Sequence, residues 1–443
     1  MIFKNFFKKS NFTSFDRSFS VTTTHQKPDR YRSLLDIEQI PQIPRGAGLS
    51  YVPASFGKNI LVKEVLHFNR ILEFDETSKI VVVESGTSLK KLLEWSVTKN
   101  LFFPVLPGWP EITVGGCLAA NVHGKNPSKD GTFIDHVEWI ELFNPNFGKK
   151  IISRSKEKKF FNATCGGLGL TGIITKIALR LEELPSKTFS ITSIPIENLL
   201  DASKILKENS DNDILYSWHI GSTFLNFGKG IVRVGKFSKK SNSDTFFIPK
   251  IKHMKSGNKL PPFSLWNNFS SSIINSINRK IESNNKQTQK NLFSGLFPFV
   301  DRANIFYTLY GSKGFNEYQL LIDDLHTEEF LNDLENLIRS DQPPLVFLFT
   351  KLFQNSQKYL NFGGKGTSII LNLKHSNSTL NFLKKVDDLI ISYKALPYII
   401  KDSRLTKNVV EQCYPEYYDF QNILNEIDPK RIFKSELSVR LDL

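Results

Sequence analysis

The chain has 443 residues, a formal charge of +14, 40% hydrophobic residues and 12% aromatic residues, 37 of them Phe. That length exceeds one ordinary core and predicts two domains, and the hydrophobic content excludes disorder throughout. Cys117, Cys165 and Cys413 are far apart and odd in number, so neither a disulfide framework nor a zinc site is suggested, and no metal is expected.

The N-terminus, MIFKNFFKKSNFTSFDRSFSVTTTHQKPDR, is basic and aromatic but has no continuous apolar segment of a secretory signal, while a short Arg/Ser-bearing transit peptide stays open. No apolar run reaches the ~18 to 20 residues of a spanning helix. Pro44 to Tyr51, reading PRGAGLSY, can curl around phosphates with Arg45 supplying charge. Lys58 to Val65 and Lys79 to Val83 read as strands, and Leu89 to Lys99 as an amphipathic helix with Ser88 as N-cap. Next comes PGWPEITVGGCLAANVHGKN, Pro107 to Asn126, with no side chain bulkier than Leu118 between Gly115 and Ala120. Glycines there let the backbone approach a diphosphate or flavin ring, although an ordinary loop entering a buried helix would read the same way. Asp135 to Leu142 reads as a strand. A third Gly-rich stretch, NATCGGLGLTGII at Asn162 to Ile174, leads into the alternating strand Lys176 to Leu181. No G-x-G-x-x-G between strand and helix and no G-x-x-x-x-G-K-[ST] is present, which argues against a nicotinamide dehydrogenase or a P-loop ATPase.

Beyond Leu184-Pro185, strands are expected at Leu215 to Ile220, Gly230 to Lys236, Glu317 to Ile322, Leu345 to Leu352 and Ser368 to Leu373. Helices are expected at Thr327 to Arg339 and Ser378 to Tyr393. Ser238 to Ser294 is rich in Lys, Asn and Ser yet carries Phe263, Leu265, Trp266 and Phe269, and reads either as a flexible polar loop or as a mobile lid meeting a lipid tail and a membrane. The lysines are scattered and no binding motif accompanies them, so no nucleic-acid partner is expected. A phosphorylated substrate and an anionic lipid surface suit the charge better.

The chain resembles the vanillyl-alcohol-oxidase type of flavoprotein with a PCMH-type FAD-binding domain, and within it the decaprenylphosphoryl-ribose 2-oxidase family. The resemblance rests on RGAGLSY at Arg45, VLPGWPEITVGGCLAANVHGKN at Val105, DGTFIDHV at Asp130, ATCGGLGLTGII at Ala163, FLFTKLF at Phe347, YIIKDSR at Tyr398 and DPKRIFKSELSVRL at Asp428. It implies an α+β fold: an FAD-binding domain over 1–184, an antiparallel-sheet substrate domain with flanking helices over 185–395, and a return to the FAD-binding domain over 396–443.

The resemblance implies a catalytic role for Lys401, with His123 and Tyr51 near the ring and sugar, either of which could relay a proton. A satisfied core histidine remains the bland alternative for His123, and a surface lysine paired with Asp402 that for Lys401. Cofactor contacts are expected from Arg45, Gly46, Ala47, Gly48, Leu49 and Ser50, from Pro107, Gly108, Thr113, Val114, Gly115 and Gly116, from Asn121, His123, Gly124 and Asn126, and from Gly131, Thr132, Gly172, Ile173 and Tyr398. Substrate contacts are expected from Glu317, Gln319, Lys351, Ser368 and Lys401. Lys351 stands among Phe347, Leu348, Phe349, Leu352 and Phe353, costly unless an anion meets it or alternation leaves it in water.

Leu49 stands where many relatives carry a histidine that bonds to the flavin, so FAD is expected to be non-covalent. Ile370 replaces the family cysteine targeted by covalent inhibitors, and Glu317 and Ser368 replace a Gln and an Asn, so the sugar or lipid can differ. The activity implied is oxidation of the C2 hydroxyl of a polyprenyl-phosphate-linked pentose, the first half of a 2-epimerisation in cell-envelope polysaccharide precursor synthesis. A short-chain reductase would complete it, and a quinone or oxygen would accept the electrons. The alternatives are a soluble aldonolactone or alditol oxidase of the same superfamily, or a basic protein with no flavin. The expected location is cytoplasmic or peripheral on a membrane, with the periplasmic face left open.

Overall fold

The computed structural model describes residues 7–239, 246, 248–249 and 260–443. The chain up to Arg180 builds two small sheets. In one, the hairpin Lys8–Thr13 and Ser20–Gln26 is followed by Leu61–Glu64 and then Gln42–Arg45, the last two pairings being parallel. The other is antiparallel, in the order Ile71–Asp75, Ile80–Glu84, Ile173–Arg180, Val137–Asn144 and Gly148–Ser153. Its apolar residues Val81, Val83, Ile140 and Ile177 share one core with Leu89, Leu92 and Leu93 of the helix Leu89–Thr98. That helix begins where expected, because the Ser88 hydroxyl accepts from the Lys91 N–H at 3.2 Å and satisfies one of the free donors of its first turn.

The remainder centres on an eight-stranded antiparallel sheet: Gln287–Asn291, Thr188–Ile196, Gly230–Phe237, Ile214–Ile220, Leu345–Gln354, Lys365–Lys374, Phe315–Asp323 and Leu396–Pro397. Helices Thr327–Asp341 and Asn377–Ser392 cover one face, where Phe330, Leu334, Phe382 and Val386 meet Tyr318, Leu320, Ile369 and Leu371. Strand side chains alternate, so Glu317, Gln319 and Leu321 point to the opposite face. Register places three rows there: Phe347, Asn372 and Glu317; Phe349, Ile370 and Gln319; Lys351, Ser368 and Leu321. This face carries the polar residues singled out in the sequence.

The polar-loop reading of Ser238 to Ser294 is corrected over its second half. Asn268–Asn284 is a 17-residue helix, followed by the strand Gln287–Asn291 and the short helix Leu292–Leu296. The cause is local: Asn267 and Ser270 form a reciprocal capping box that starts the helix. Residues 240–245, 247 and 250–259 of that stretch lie outside the described residues. The expected strand from Asp135 begins at Val137, because Phe133–His136 is a 3₁₀ turn held by Asp135 and Thr132.

After Pro397 the chain crosses back. Gln42 N–H donates to the Ile432 carbonyl at 2.8 Å, Lys434 N–H to the Gln42 carbonyl at 3.0 Å, and Glu436 N–H to the Phe56 carbonyl at 2.9 Å. The C-terminal residues thus pack on the chain to either side of the first Gly-rich turn.

Candidate functional site

The three Gly-rich segments converge on one short helix, Val114–Ala119, capped by the Thr113 hydroxyl. A Cβ on Gly46 would stand 2.1 Å from Thr113 Oγ1, so only glycine lets the first segment reach the cap. The third segment docks on the other end: Gly166 N–H donates to the Leu118 carbonyl and Leu168 N–H to the Ala119 carbonyl, both at 2.8 Å. Gly166 has φ +79° and its missing Cβ would fall 1.5 Å from Asn361 Oδ1. Gly108 and Gly116 are exposed on this surface, while Ala47, Gly48, Leu49, Ser50 and Pro107 are half-buried.

Not every residue of these segments offers a free polar atom. Arg45 folds beneath Gly48, its guanidinium 4.9 Å from the Phe12 ring centroid and 5.3 Å from that of Phe56, and donates to Ser55 Oγ at 2.7 Å. Asn126 Nδ2 donates to the Ser210 and Asn212 carbonyls at 2.7 and 2.6 Å, and its Oδ1 accepts from Ser128. Asn121 Oδ1 accepts from Ile134 N–H at 3.0 Å, and Thr132 bonds to Asp135 next to Gly131. Val114 and Gly115 face inward, Gly115 packing on Ser85, while Gly172 lies against the Phe143 carbonyl and Ile173 belongs to a core with Leu34, Val65, Phe68 and Phe433. These residues shape the segments from behind.

Opposite them, the polar face of the large sheet gathers the polar candidates. Lys401 Nζ donates to Glu317 Oε1 at 2.7 Å and stands 3.9 Å from the Tyr51 ring centroid. Tyr51 and Tyr307 share a hydroxyl contact at 2.9 Å, and Asn372 donates to Glu317 Oε2 at 3.2 Å. His123 Nε2 lies 3.1 Å from the Gln319 amide nitrogen, which also donates to Ser368 Oγ at 3.1 Å. Lys351 Nζ donates to the Gly124 carbonyl at 2.9 Å and lies 3.3 Å from His123 Nδ1. Tyr398 joins the two walls: its N–H donates to the Gln319 carbonyl at 2.7 Å, its hydroxyl to the Ala120 carbonyl at 3.1 Å, and its ring stacks on Phe362 at 4.4 Å. All five substrate candidates and all three catalytic candidates therefore meet in one place.

Electrostatically the place is cationic. Burial, then Lys351 and Lys401, hold His123 well below the usual imidazole range, so it is neutral. Burial pushes Lys125 down to about 7, and burial with Lys125 and Lys401 pushes Lys351 down, against the pull of Glu317. Lys125 is 8% exposed, with one long hydrogen bond, 3.4 Å to the Leu106 carbonyl, and the Phe297 ring centroid 5.9 Å from its Nζ. Neither Lys125 nor Lys351 has a salt-bridge partner among the described residues, an arrangement that favours an incoming anion. Sequence reasoning passed over Lys125 as part of a polar cluster; its position two residues after His123 was the available signal. It also missed Tyr307 and Asn361, which carry no motif.

The sign of the pH effect follows. Below about pH 7 Lys125 is charged and above it neutral, so sulfate, an anionic competitor whose own charge is constant across that range, should bind more weakly as pH rises through 7. Lys125→Met should flatten that step in an inhibition profile; an unchanged step assigns it elsewhere.

The walls fit a flat cofactor with a diphosphate arm. Ser50 Oγ in the first segment, Asn361 Oδ1 against the third and Gln319 Oε1 on the sheet are buried polar atoms with no partner among the described residues. The FAD binding domain family matches residues 33–149. Over 90% of its length the chain is similar, at 26% identity, to decaprenylphosphoryl-beta-D-ribose oxidase of Mycolicibacterium smegmatis, covering 89% of that protein. It is 21% identical to L-gulonolactone oxidase 2 of Arabidopsis thaliana over 83% of this chain and 70% of that one. A shorter match, 30% identical over 38% of this chain and 36% of the relative, is to D-lactate dehydrogenase of Anaerostipes hadrus. FAD is the cofactor, and the long match to the first relative supports the resemblance found in the motifs.

Proposed function

We propose that this chain, an FAD-dependent oxidoreductase acting on CH–OH groups, oxidises the C2 hydroxyl of a polyprenyl-phosphate-linked pentose to the ketone. The carrying observation is the juxtaposition of an alcohol-handling cluster, Lys401, Glu317, Tyr51, His123 and Gln319, with the unpaired lysines Lys125 and Lys351. A free sugar has no group to meet those lysines, whereas a sugar phosphodiester does. The ketone would pass to a short-chain reductase to complete a 2-epimerisation in cell-envelope precursor synthesis, and a quinone or oxygen would take the electrons.

Bound FAD supplies the acceptor for the hydride that leaves the carbinol carbon. The first segment from Gly46 to Ser50, the stretch Pro107 to Gly116 and Tyr398 would hold it. Leu49 offers no atom able to bond to it, so binding is non-covalent. Lys401 places an ammonium beside the reacting hydroxyl and stabilises the negative charge that grows as its proton departs. His123, kept unprotonated by burial and by Lys351, can relay that proton, its Nε2 exchanging the Gln319 amide N–H it now accepts for the departing one. Gln319 and Ser368 fix the imidazole and one sugar hydroxyl, and Lys351 with Lys125 orients the phosphate.

Anaerobic mixing of the yellow protein with a panel of sugars tests the reading. Bleaching of flavin absorbance is expected with a polyprenyl-phosphoryl pentose and not with free aldonolactones or alditols. The reverse pattern would make the enzyme a soluble sugar oxidase like its gulonolactone-oxidase relatives.

A further inference from the structure

The helix Asn268–Asn284 is amphipathic in the wrong direction for a helix packed on a sheet. Its inward residues Ser271, Ser272 and Asn275 are all fully buried. Asn275 Nδ2 donates to the Val346 carbonyl at 2.8 Å, Ser272 Oγ to the Leu225 carbonyl at 2.8 Å, and Glu282 accepts from Arg233 at 2.7 Å. The polar side is therefore the anchored one. Its outward side carries Phe269 at 57% exposure, Ile273 at 36%, Ile274 at 41%, Ile277 at 53% and Ile281 at 53%. Phe224, 54% exposed, extends the stripe through an edge contact with Phe269 at 5.3 Å. At 100° per residue these positions lie opposite Ser271 and Asn275, and from Phe269 to Ile281 they span roughly 18 Å of helix.

Charge narrows what covers the stripe. From residue 260 to 300 the only acid is Glu282, held by Arg233, while Lys280, Lys286 and Lys290 are exposed with no ion-pair partner among the described residues. In a two-fold dimer built on this stripe those lysines would be brought toward their own copies on a chain of formal charge +14. An anionic surface meets both the apolar stripe and its cationic border. The helix also lies over the sheet face that carries the candidate site. Ile231, Trp218, Phe349, Ile370 and Gln319 are successive register partners across the same sheet face, running from beneath this helix to the His123 cluster.

We propose that this helix is an interfacial docking element, lying in the plane of an anionic lipid bilayer with Phe224, Phe269, Ile273, Ile274, Ile277 and Ile281 entering the acyl boundary and Lys280 and Lys286 meeting head groups. No helix among the described residues is long and apolar enough to cross a membrane, so the attachment is peripheral. The proposal is independent of which alcohol the site oxidises.

Flotation of the holoprotein tests it, using vesicles of equal parts phosphatidylcholine and phosphatidylglycerol beside vesicles of phosphatidylcholine alone. Binding to the anionic vesicles is expected, weaker binding to the neutral ones, and a decline with added salt. An Ile277→Asn and Ile281→Asn double variant, changed only at exposed positions, should keep its flavin and melting temperature and lose about tenfold or more in vesicle partitioning. Equal flotation of the variant, or no flotation of the wild type, overturns the proposal. So does a wild-type dimer in sedimentation that the double variant splits while neither protein floats, an outcome that gives the stripe to a second copy. Turnover on soluble substrate analogues is read separately, so failure here leaves the oxidation chemistry standing.

Discussion

Lys401→Ala retains FAD and loses about 10²- to 10³-fold in the rate of flavin bleaching, the range seen when one preorganised donor to a developing oxyanion is removed. The expectation rests on where the ammonium is fixed. It is held 2.7 Å from Glu317 Oε1 and 3.9 Å over the Tyr51 ring, so it cannot swing out to solvent without breaking both contacts. Flavin binding should survive, because the side chain removed meets Glu317 and the Tyr51 ring, while the backbone of the Gly-rich segments and the Tyr398 hydroxyl bond to Ala120 stay in place. The loss should sit in the chemical step measured anaerobically and only weakly in substrate affinity, since the anion is met by Lys125 and Lys351. Removing the cation also leaves Glu317, 7% exposed, facing only neutral donors, Asn372 and the Tyr51 hydroxyl, among the described residues, at a cost of about 1–3 kcal/mol. A melting curve separates that modest destabilisation from the rate effect. Unchanged bleaching with full flavin occupancy would remove Lys401 from the mechanism.

How the chain assembles this cluster was legible where a local pattern and its packing agree. Ser88 before an amphipathic run gave the helix Leu89–Thr98, and alternation around Lys351 gave the strand Leu345–Gln354. The motif residues Gln319, Lys351 and Lys401 come from different strands and a loop, and only their resemblance to a known set put them together in advance. Other elements carried no usable signal. The hairpin Lys8–Thr13 with Ser20–Gln26 is too polar to read as a strand pair, and it is fixed by parallel pairing with Leu61–Glu64. Thr188–Ile196 mixes Ser, Thr and Pro with its apolar residues and is held between two neighbours. The helix Asn268–Asn284 misled for the opposite reason: its hydrophobic period is clear, but its apolar side faces outward, so a search for a core-facing stripe reads it as loop. Asn126 shows the limit inside a motif. Position suggested a cofactor contact, whereas its amide ties the loop to the carbonyls of Ser210 and Asn212.

Arg404→Ala should cost about 3–5 kcal/mol, the usual consequence of leaving buried charges without their partner, and lower the melting midpoint by roughly 3–5 °C. The guanidinium grips Asp387 with two nitrogens at 2.6 and 2.9 Å, reaches Asp402 Oδ2 at 2.9 Å and lies 5.3 Å from the Tyr318 ring. Both carboxylates are buried, at 7% and 3% exposure. Burial already pushes the Asp402 carboxyl up to about 6 despite Arg404. A carboxyl whose folded value is raised contributes stability below its unfolded value, near 3.9, and loses it as pH rises through the folded one. The deficit of the variant should therefore be smallest in acid and widen above about pH 6. The same fork pins the loop Tyr398–Arg404 to the helix Asn377–Ser392, three residues from Lys401, so Arg404 acts as a positioning residue. Turnover per bound flavin should fall in the alanine variant even at temperatures where it is folded. Arg404→Lys restores a charge but not the planar fork that serves two carboxylates, and should recover part of the stability and less of the rate. A midpoint within a degree or two of wild type, or full turnover by the folded variant, would show that the ion network neither holds the fold nor aims Lys401.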